Sequence, residues 1–217
     1  VVNNTLSFLK NLPANNVLLY GDRGTGKSST VHAILNKYAQ NGLRLVEMNK
    51  SAITDFPLLV SAVSAAKRFK FIIFIDDLSF SDGENDYAQL KAALEGSISK
   101  TPNILIYATT NRRHLIKETH SDRRGDDVSV NDTMQEQLSL SDRFGLVVTF
   151  INPDKREFCA ILKAILRDRK IDGINDEKLS LIAERYAIKK GGRSPRAARQ
   201  LADIIESSIK TGSEINF

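Results

Sequence analysis

The sequence predicts an α/β fold: a three-layer core around a five-stranded parallel sheet, followed by a small all-helical domain. Three observations predict it. Through the first two-thirds of the 217 residues, short β-like runs alternate with stretches of helical period, which implies parallel strands with helices on both faces. One of those runs, Lys70–Ile75 (KFIIFI), is apolar on both faces, as in a strand covered from both sides. After Asn152-Pro153 the strand-like runs stop and only amphipathic helical periods remain. The chain therefore divides into residues 1–152 and 153–217.

The elements follow in order. Val17–Tyr20 (VLLY) reads as the first strand. Lys27–Gln40 carries Val31, Ile34, Leu35 and Tyr38 at helical spacing, and Asn41-Gly42 stops it. Leu43–Met48 is the second strand. Thr54 or Asp55 can cap a helix from about Phe56 to Phe69. Lys70–Ile75 is the third strand, 81–86 a loop, and Tyr87–Ser99 a helix. Asn103–Thr109 and Gly145–Ile151 are the fourth and fifth strands. Between them lies a polar stretch over about 114–136, longer than most connections and so of the kind that is functional or disordered. Asp154–Asp168, Asp176–Ala187 and Ser194–Lys210 are the C-terminal helices, separated by Gly173 and by Gly191-Gly192. No internal repeat is present.

Composition narrows the class. Apolar residues make up 41% and charged residues 26%, an ordinary globular balance. The longest clean apolar run is Phe71–Ile75, far too short to span a membrane. One cysteine, Cys159, excludes an internal disulfide and a thiolate cluster. With no signal-peptide pattern, the expected compartment is the cytoplasm. The opening on Val1 reads as an excised fragment. Lys and Arg number 31 and Asp and Glu 26, a net +5. That excess suits a nucleic acid or a polyanionic small ligand equally well, so the placement of the basic residues matters more than their sum.

The placement is informative at Gly21–Ser28, GDRGTGKS, which fits G-x-x-x-x-G-K-[ST] at every fixed position between a predicted strand and a predicted helix. Glycines let the backbone curl until successive N–H groups point at phosphate oxygens, and the helix N-terminus adds its positive end. Asp22, Arg23, Gly24, Thr25, Gly26, Lys27, Ser28 and Ser29 thus form a candidate nucleotide-phosphate site. Lys27 reaches the terminal phosphates, and Ser28 offers a hydroxyl to Mg²⁺. The third strand runs directly into Asp76-Asp77 at the carboxyl edge of the sheet, where ligands of open α/β sheets bind. Asp76 is the candidate for holding Mg²⁺ through water, and Asp77 for polarising an attacking water.

These motifs, with YATTNRR at Tyr107–Arg113, SLSDRFG at Ser139–Gly145 and GGRSPRAAR at Gly191–Arg199, resemble the AAA+ ATPases of the P-loop superfamily over nearly the whole chain. The sequence looks closest to a bacterial AAA+ family catalogued as a domain of unknown function. The resemblance implies ATP and ADP as ligands with Mg²⁺, and a homo-oligomer, a ring with the hexamer among the sizes open. It implies a helical lid at 153–217 and hydrolysis that remodels a protein or DNA client. By position it makes Asn111 the sensor 1 residue and Arg143 a finger reaching a neighbouring subunit's nucleotide, with Arg112 and Arg113 as rivals. Arg196 matches the sensor 2 arginine, with Arg193 and Arg199 as alternatives. The N-terminal stretch is expected along the adenine, with main-chain contacts from Thr5 or Leu6. Ile161 and Leu162 are either the facing wall or core.

One departure stands out: the family commonly has Glu where Asp77 stands, one methylene longer. It supports a second reading, an ATP-switched DNA-binding or loader protein with slow hydrolysis. A small-molecule kinase shares the phosphate loop, but Asn111, Arg143 and Arg196 fit it less well. Arg112, Arg113, Arg123 and Arg124 could form a basic face for nucleic acid, but the same stretch carries Asp122, Asp126, Asp127 and Asp132 without interleaved aromatics, so it reads as a solvated mixed-charge loop rather than a base-stacking surface.

Overall fold

A computed structural model of the protein describes residues 1–78, 90–92, 94, 101–111 and 143–217. The chain separates into two compact units, one of Val1–Gly21 with Lys27–Thr149, the other of Asp22–Gly26 with Phe150–Phe217. Five residues of the glycine-rich loop therefore cluster with the C-terminal residues, a division that no single boundary in the sequence reproduces.

The first unit opens with α1 (Val2–Leu9), followed by β1 (Val17–Gly21), α2 (Lys27–Tyr38), β2 (Leu43–Met48), α3 (Phe56–Ser64), β3 (Lys70–Ile75) and β4 (Ile104–Thr110). The fifth strand, β5 (Leu146–Phe150), ends at the junction of the units. The sheet order is β2-β3-β4-β1-β5. β2, β3, β4 and β1 pair in parallel, with Ile73 opposite Val46 and Ile106, and Val17 opposite Tyr107. The amides of Leu146 and Asp22 donate to Asn16 and Phe150, which carries β5 along β1 in the same direction.

Burial follows position in the sheet. β4 is buried at every residue, and β3 from Ile72 to Ile75. β5, at an edge, alternates half-buried and exposed residues, as a strand covered on one face does. Leu18, Phe56, Ile73, Ile75, Leu90 and Ile106 belong to one continuous core, each buried aliphatic or aromatic side chain contributing about 1.5–3 kcal/mol relative to exposure.

Three elements differ from expectation. The N-terminal stretch forms α1. Asn4 Nδ2 donates to Asn15 O at 2.8 Å, Asn15 N donates back to Asn4 Oδ1 at 3.0 Å, and Thr5 Oγ1 lies 2.7 Å from the Tyr107 hydroxyl. Burial pushes the Tyr107 phenol above its ordinary value. The helix of α2 ends at Tyr38 and closes through a short 3-10 turn to Gly42, whose φ of 88° is left-handed. α3 stops at Ser64 rather than near Phe69. Phe69 instead sits in the turn before β3, edge-on to Phe71 and under the guanidinium groups of Arg44 and Arg68, a packing that holds it out of the helix.

In the second unit, α4 (Lys155–Asp168), α5 (Asp176–Lys189) and α6 (Pro195–Thr211) follow. Asp154 and Glu157 form a reciprocal capping box at the start of α4, and the side chains of Asn175 and Ser194 cap α5 and α6. Phe158, Leu162, Leu166, Tyr186, Leu201 and Ile205 are buried together. Leu162 is fully buried, and Ile161 and Cys159 pack against the same core. Among the described residues no helix is long and apolar enough to cross a membrane. The predicted loop at 81–86 and most of the helix predicted at Tyr87–Ser99 lie outside the described residues. So do the polar stretch 114–136 and Arg112, Arg113, Arg123 and Arg124.

Candidate functional site

The sheet order explains how motifs far apart in the chain meet. β4 lies between β1 and β3, so whatever follows β4 stands between the residues following β1 and those following β3. Tyr20 is opposite Thr110, and Ile75 is opposite Ala108. Past these pairs the chain leaves the sheet at Gly21, Asp76 and Asn111, side by side at the carboxyl edge.

Lys27, the first residue of α2, is 7% exposed. Its Nζ donates to Gly21 O at 2.8 Å and to Asn111 Oδ1 at 2.9 Å. Asn111 Nδ2 donates to Asp77 Oδ1 at 2.6 Å. The amide orientation is forced, since only its oxygen can face an ammonium and only its nitrogen a carboxylate. Ser28 Oγ donates to Asp76 Oδ1 at 2.6 Å. Lys27, Ser28, Asp76, Asp77 and Asn111 are thus brought into one bonded array within the first unit.

Thr109 was missed by the sequence reading. Its hydroxyl donates to Asp76 Oδ1 at 2.5 Å and accepts the Asp77 N–H at 2.9 Å. The sequence marks it only as a polar residue near the end of an apolar strand; that a carboxylate pair closes the strand beside it is set by the sheet order.

The rest of the loop is organised within the second unit. Thr25 Oγ1 donates to Asp22 O at 2.7 Å, and Asp22 Oδ2 accepts from Asn152 N at 3.1 Å. Arg23 and Ser29 are exposed. Arg196 N donates to Gly24 O at 3.1 Å. Gly24 has φ +76°, and a Cβ there would lie 3.1 Å from Arg196 Cβ and 3.2 Å from Ser194 Oγ, so a side chain would be strained and crowded. Arg23, Gly24, Lys190, Ser194 and Arg196 line a cavity of about 250 Å³. Arg193, the alternative to Arg196, is engaged elsewhere: Nε and Nη2 both donate to Glu184 Oε1, at 3.0 and 2.7 Å.

Two expected groups lie elsewhere. Arg143 precedes β5 and so lies at the amino edge of the sheet, lining a cavity of about 700 Å³ with Phe8, Pro13, Lys70 and Pro102. Two residues on, a Cβ at Gly145 would meet Asn15 Oδ1 at 2.6 Å, so a side chain there would force Asn15 to shift. The main chain of Thr5 and Leu6 is occupied within α1, Thr5 N donating to Val1 O and Leu6 O accepting from Lys10 N.

The donor set suits Mg²⁺ of a particular kind. Ser28 Oγ and Asp76 Oδ1 are adjacent hard oxygens, and among the described residues no group of three or more His, Cys, Asp or Glu could hold an ion. A site with one carboxylate and one hydroxyl fits a cation that keeps its waters and takes its remaining oxygens from a phosphate ligand.

A parallel sheet of this order, with a G-x-x-x-x-G-K-S loop after β1, an acidic pair after β3 and an asparagine after β4, is the fold of AAA+ proteins of the P-loop class. The chain belongs to the family described as "Protein of unknown function (DUF815)", whose model matches residues 1–209. It is 26% identical over 210 residues to the Replication factor C large subunit of Nanoarchaeum equitans, covering 94% of this chain and 42% of that protein. RuvB of Thermotoga maritima, a Holliday junction branch migration motor, has the same fold, with a TM-score of 0.62 at 19% identity over 98% of this chain and 61% of that one. A variant of the same RuvB reaches 0.65 at 16% identity, over 97% and 61%. The chain therefore spans less than two-thirds of the length of these relatives.

Proposed function

We propose that the protein binds ATP with Mg²⁺ and hydrolyses it, acting as a cytoplasmic homo-oligomer, a ring, that remodels a client. The observation that carries this reading is the bonded array Lys27–Asn111–Asp77 beside Ser28–Asp76. It assembles a cation, a polar relay and two carboxylates at one sheet edge within the first unit.

Each residue has a role that its position supports. The amides of 22–28 cradle the phosphates, and Lys27 exchanges its present acceptors for phosphate oxygens. Ser28 and Asp76 hold Mg²⁺, which when bound neutralises charge developing on the transferred phosphoryl group. Asp77 orients water and accepts its proton, and Asn111 fixes the position of the Asp77 carboxylate. Arg196, bonded through its backbone to the loop at Gly24, is the lid arginine assigned to the phosphates on this reading.

Arg143 acts on the nucleotide of a neighbouring subunit. It stands at the amino edge of the sheet while Lys27 stands at the carboxyl edge, and β1 between those edges has 5 residues. At about 3.3 Å per residue this is roughly 17 Å, far beyond one side chain, which supports action in trans. Such fingers are worth about 10³–10⁵ in rate.

The test is the Lys27→Ala variant. It is expected to lose ATP binding and hydrolysis, and undiminished activity would reject the reading. DNA as the client, with ATP as a slowly hydrolysed switch, is a second reading favoured by the named relatives, a branch migration motor and a Replication factor C subunit. An ATP-dependent DNA affinity that falls steeply with salt would favour it, and absence of binding would favour a protein client.

A further inference from the structure

We propose that Thr109 is the positioning residue for both carboxylates that follow β3, and so sets the strength of the metal–nucleotide site without touching either ligand. This rests on the ATP and Mg²⁺ reading above.

The argument starts from where the β3–β4 ladder ends. Its last pair is Ile75 with Ala108. Beyond it the chain of β3 turns, and Thr109 takes over the pairing three times. Its carbonyl accepts from Leu78 N at 2.7 Å, its hydroxyl accepts from Asp77 N at 2.9 Å, and the hydroxyl proton goes to Asp76 Oδ1. A side chain thus replaces a ladder carbonyl at the residue where the carboxylates must splay apart.

The direction of these bonds is not free. An amide N–H can only donate and a carboxylate can only accept, so the single hydroxyl proton of Thr109 must point at Asp76. Thr109 is 2% exposed, which leaves its hydroxyl few other partners. Two consequences follow. Asp76 Oδ1 is fixed where Ser28 Oγ also meets it at 2.6 Å, so the two oxygens proposed for the metal are held together. Asp77 is pinned at φ +52°, a left-handed conformation that costs an L-residue energy unless its surroundings hold it. In that conformation its carboxylate meets Asn111. One hydroxyl therefore couples the metal-holding carboxylate to the water-orienting one.

The experiment compares Thr109→Val, which keeps the shape and removes the hydroxyl, with Thr109→Ser, which keeps the hydroxyl. Thr109→Ala serves as the second hydroxyl-free form if the valine variant unfolds. Two quantities are measured: the affinity of the ADP-loaded protein for Mn²⁺, by its electron paramagnetic resonance, and hydrogen exchange of the Asp77 amide. Outer partners of metal ligands typically contribute 10–100-fold, so the hydroxyl-free variants are expected to bind Mn²⁺ about tenfold or more weaker, with ADP affinity in the absence of metal unchanged. The Asp77 amide should lose protection in the same variants. Thr109→Ser should restore both. If Thr109→Val binds Mn²⁺ as the wild type does, the inference is overturned and the ATP reading stands. If the wild type takes up no ADP and Mn²⁺ at all, the ATP reading falls and the inference falls with it.

Discussion

At Asp77 the backbone is left-handed, with φ +52°. Asp and Asn tolerate that region better than other residues with a Cβ, and here the Asp77 carboxylate also accepts from Asn111, at the end of the adjacent strand. This gives a conformational reason for Asp where AAA+ proteins commonly have Glu. The contact to Asn111 at 2.6 Å leaves no room for an extra methylene without a shift. Asp77→Glu should therefore slow ATP hydrolysis rather than speed it, and should cost about 1 kcal/mol in thermal unfolding. Asp77→Ala removes the proposed base and should lower kcat by about 10²–10⁴, with ATP affinity changed by no more than a few-fold in a binding titration. An Ala variant hydrolysing at the wild-type rate would remove Asp77 from the chemistry. The residues of the array were legible in the sequence, because the G-x-x-x-x-G-K-[ST] pattern, the acidic pair after an apolar strand and the asparagine ending the next one mark them. Thr109 was not, because its role depends on which strand lies next to β3.

Among the elements, the helices of the second unit carry their start signals in the chain. Asp154 accepts from Glu157 N at 2.8 Å, and Glu157 Oε2 accepts from Asp154 N at 2.9 Å. Together they satisfy two amides that the first turn of α4 leaves without a helical partner. Asp154→Ala should lower the stability of this unit by about 1 kcal/mol, read as a shift of the urea midpoint followed by far-UV circular dichroism. An unchanged midpoint would mean the box is redundant with the packing of Phe158 and Leu162. Where the sequence was misread, the reason was tertiary. Apolar spacing through Phe69 continued the helical pattern, yet Arg44 from β2 and Arg68 draw that ring into the turn. α1 has no side-chain cap. Its docking relies on Asn4, Thr5 and the buried Tyr107 hydroxyl.

For the whole molecule, Arg143 and Lys27 lie at opposite edges of one sheet within the first unit, so the proposed finger of a subunit would be out of reach of a nucleotide held at its own Lys27. That geometry predicts complementation. Arg143→Ala and Lys27→Ala homo-oligomers should each be nearly inactive. A mixture should regain part of the ATPase activity, because some interfaces then pair an intact loop with an intact finger. Gel filtration of each variant with ATP controls for assembly. A mixture as inactive as its components, with assembly intact, would assign Arg143 to a structural role.

The sequence by itself determined the fold class, the glycine-rich loop between β1 and α2, the acidic pair after β3 and the three C-terminal helices. All of these are encoded by neighbours a few residues apart, through backbone freedom, periodicity and capping. Tertiary structure alone decided that Asn111 stands between Lys27 and Asp77, that Thr109 joins Asp76 to Asp77, and that Arg193 is engaged by Glu184 while Arg196 meets the loop at Gly24. These depend on strand order and helix packing. Insertion of β4 between β1 and β3 is a non-local pairing, and the residues that end each strand carry no local mark of which strand will lie beside them.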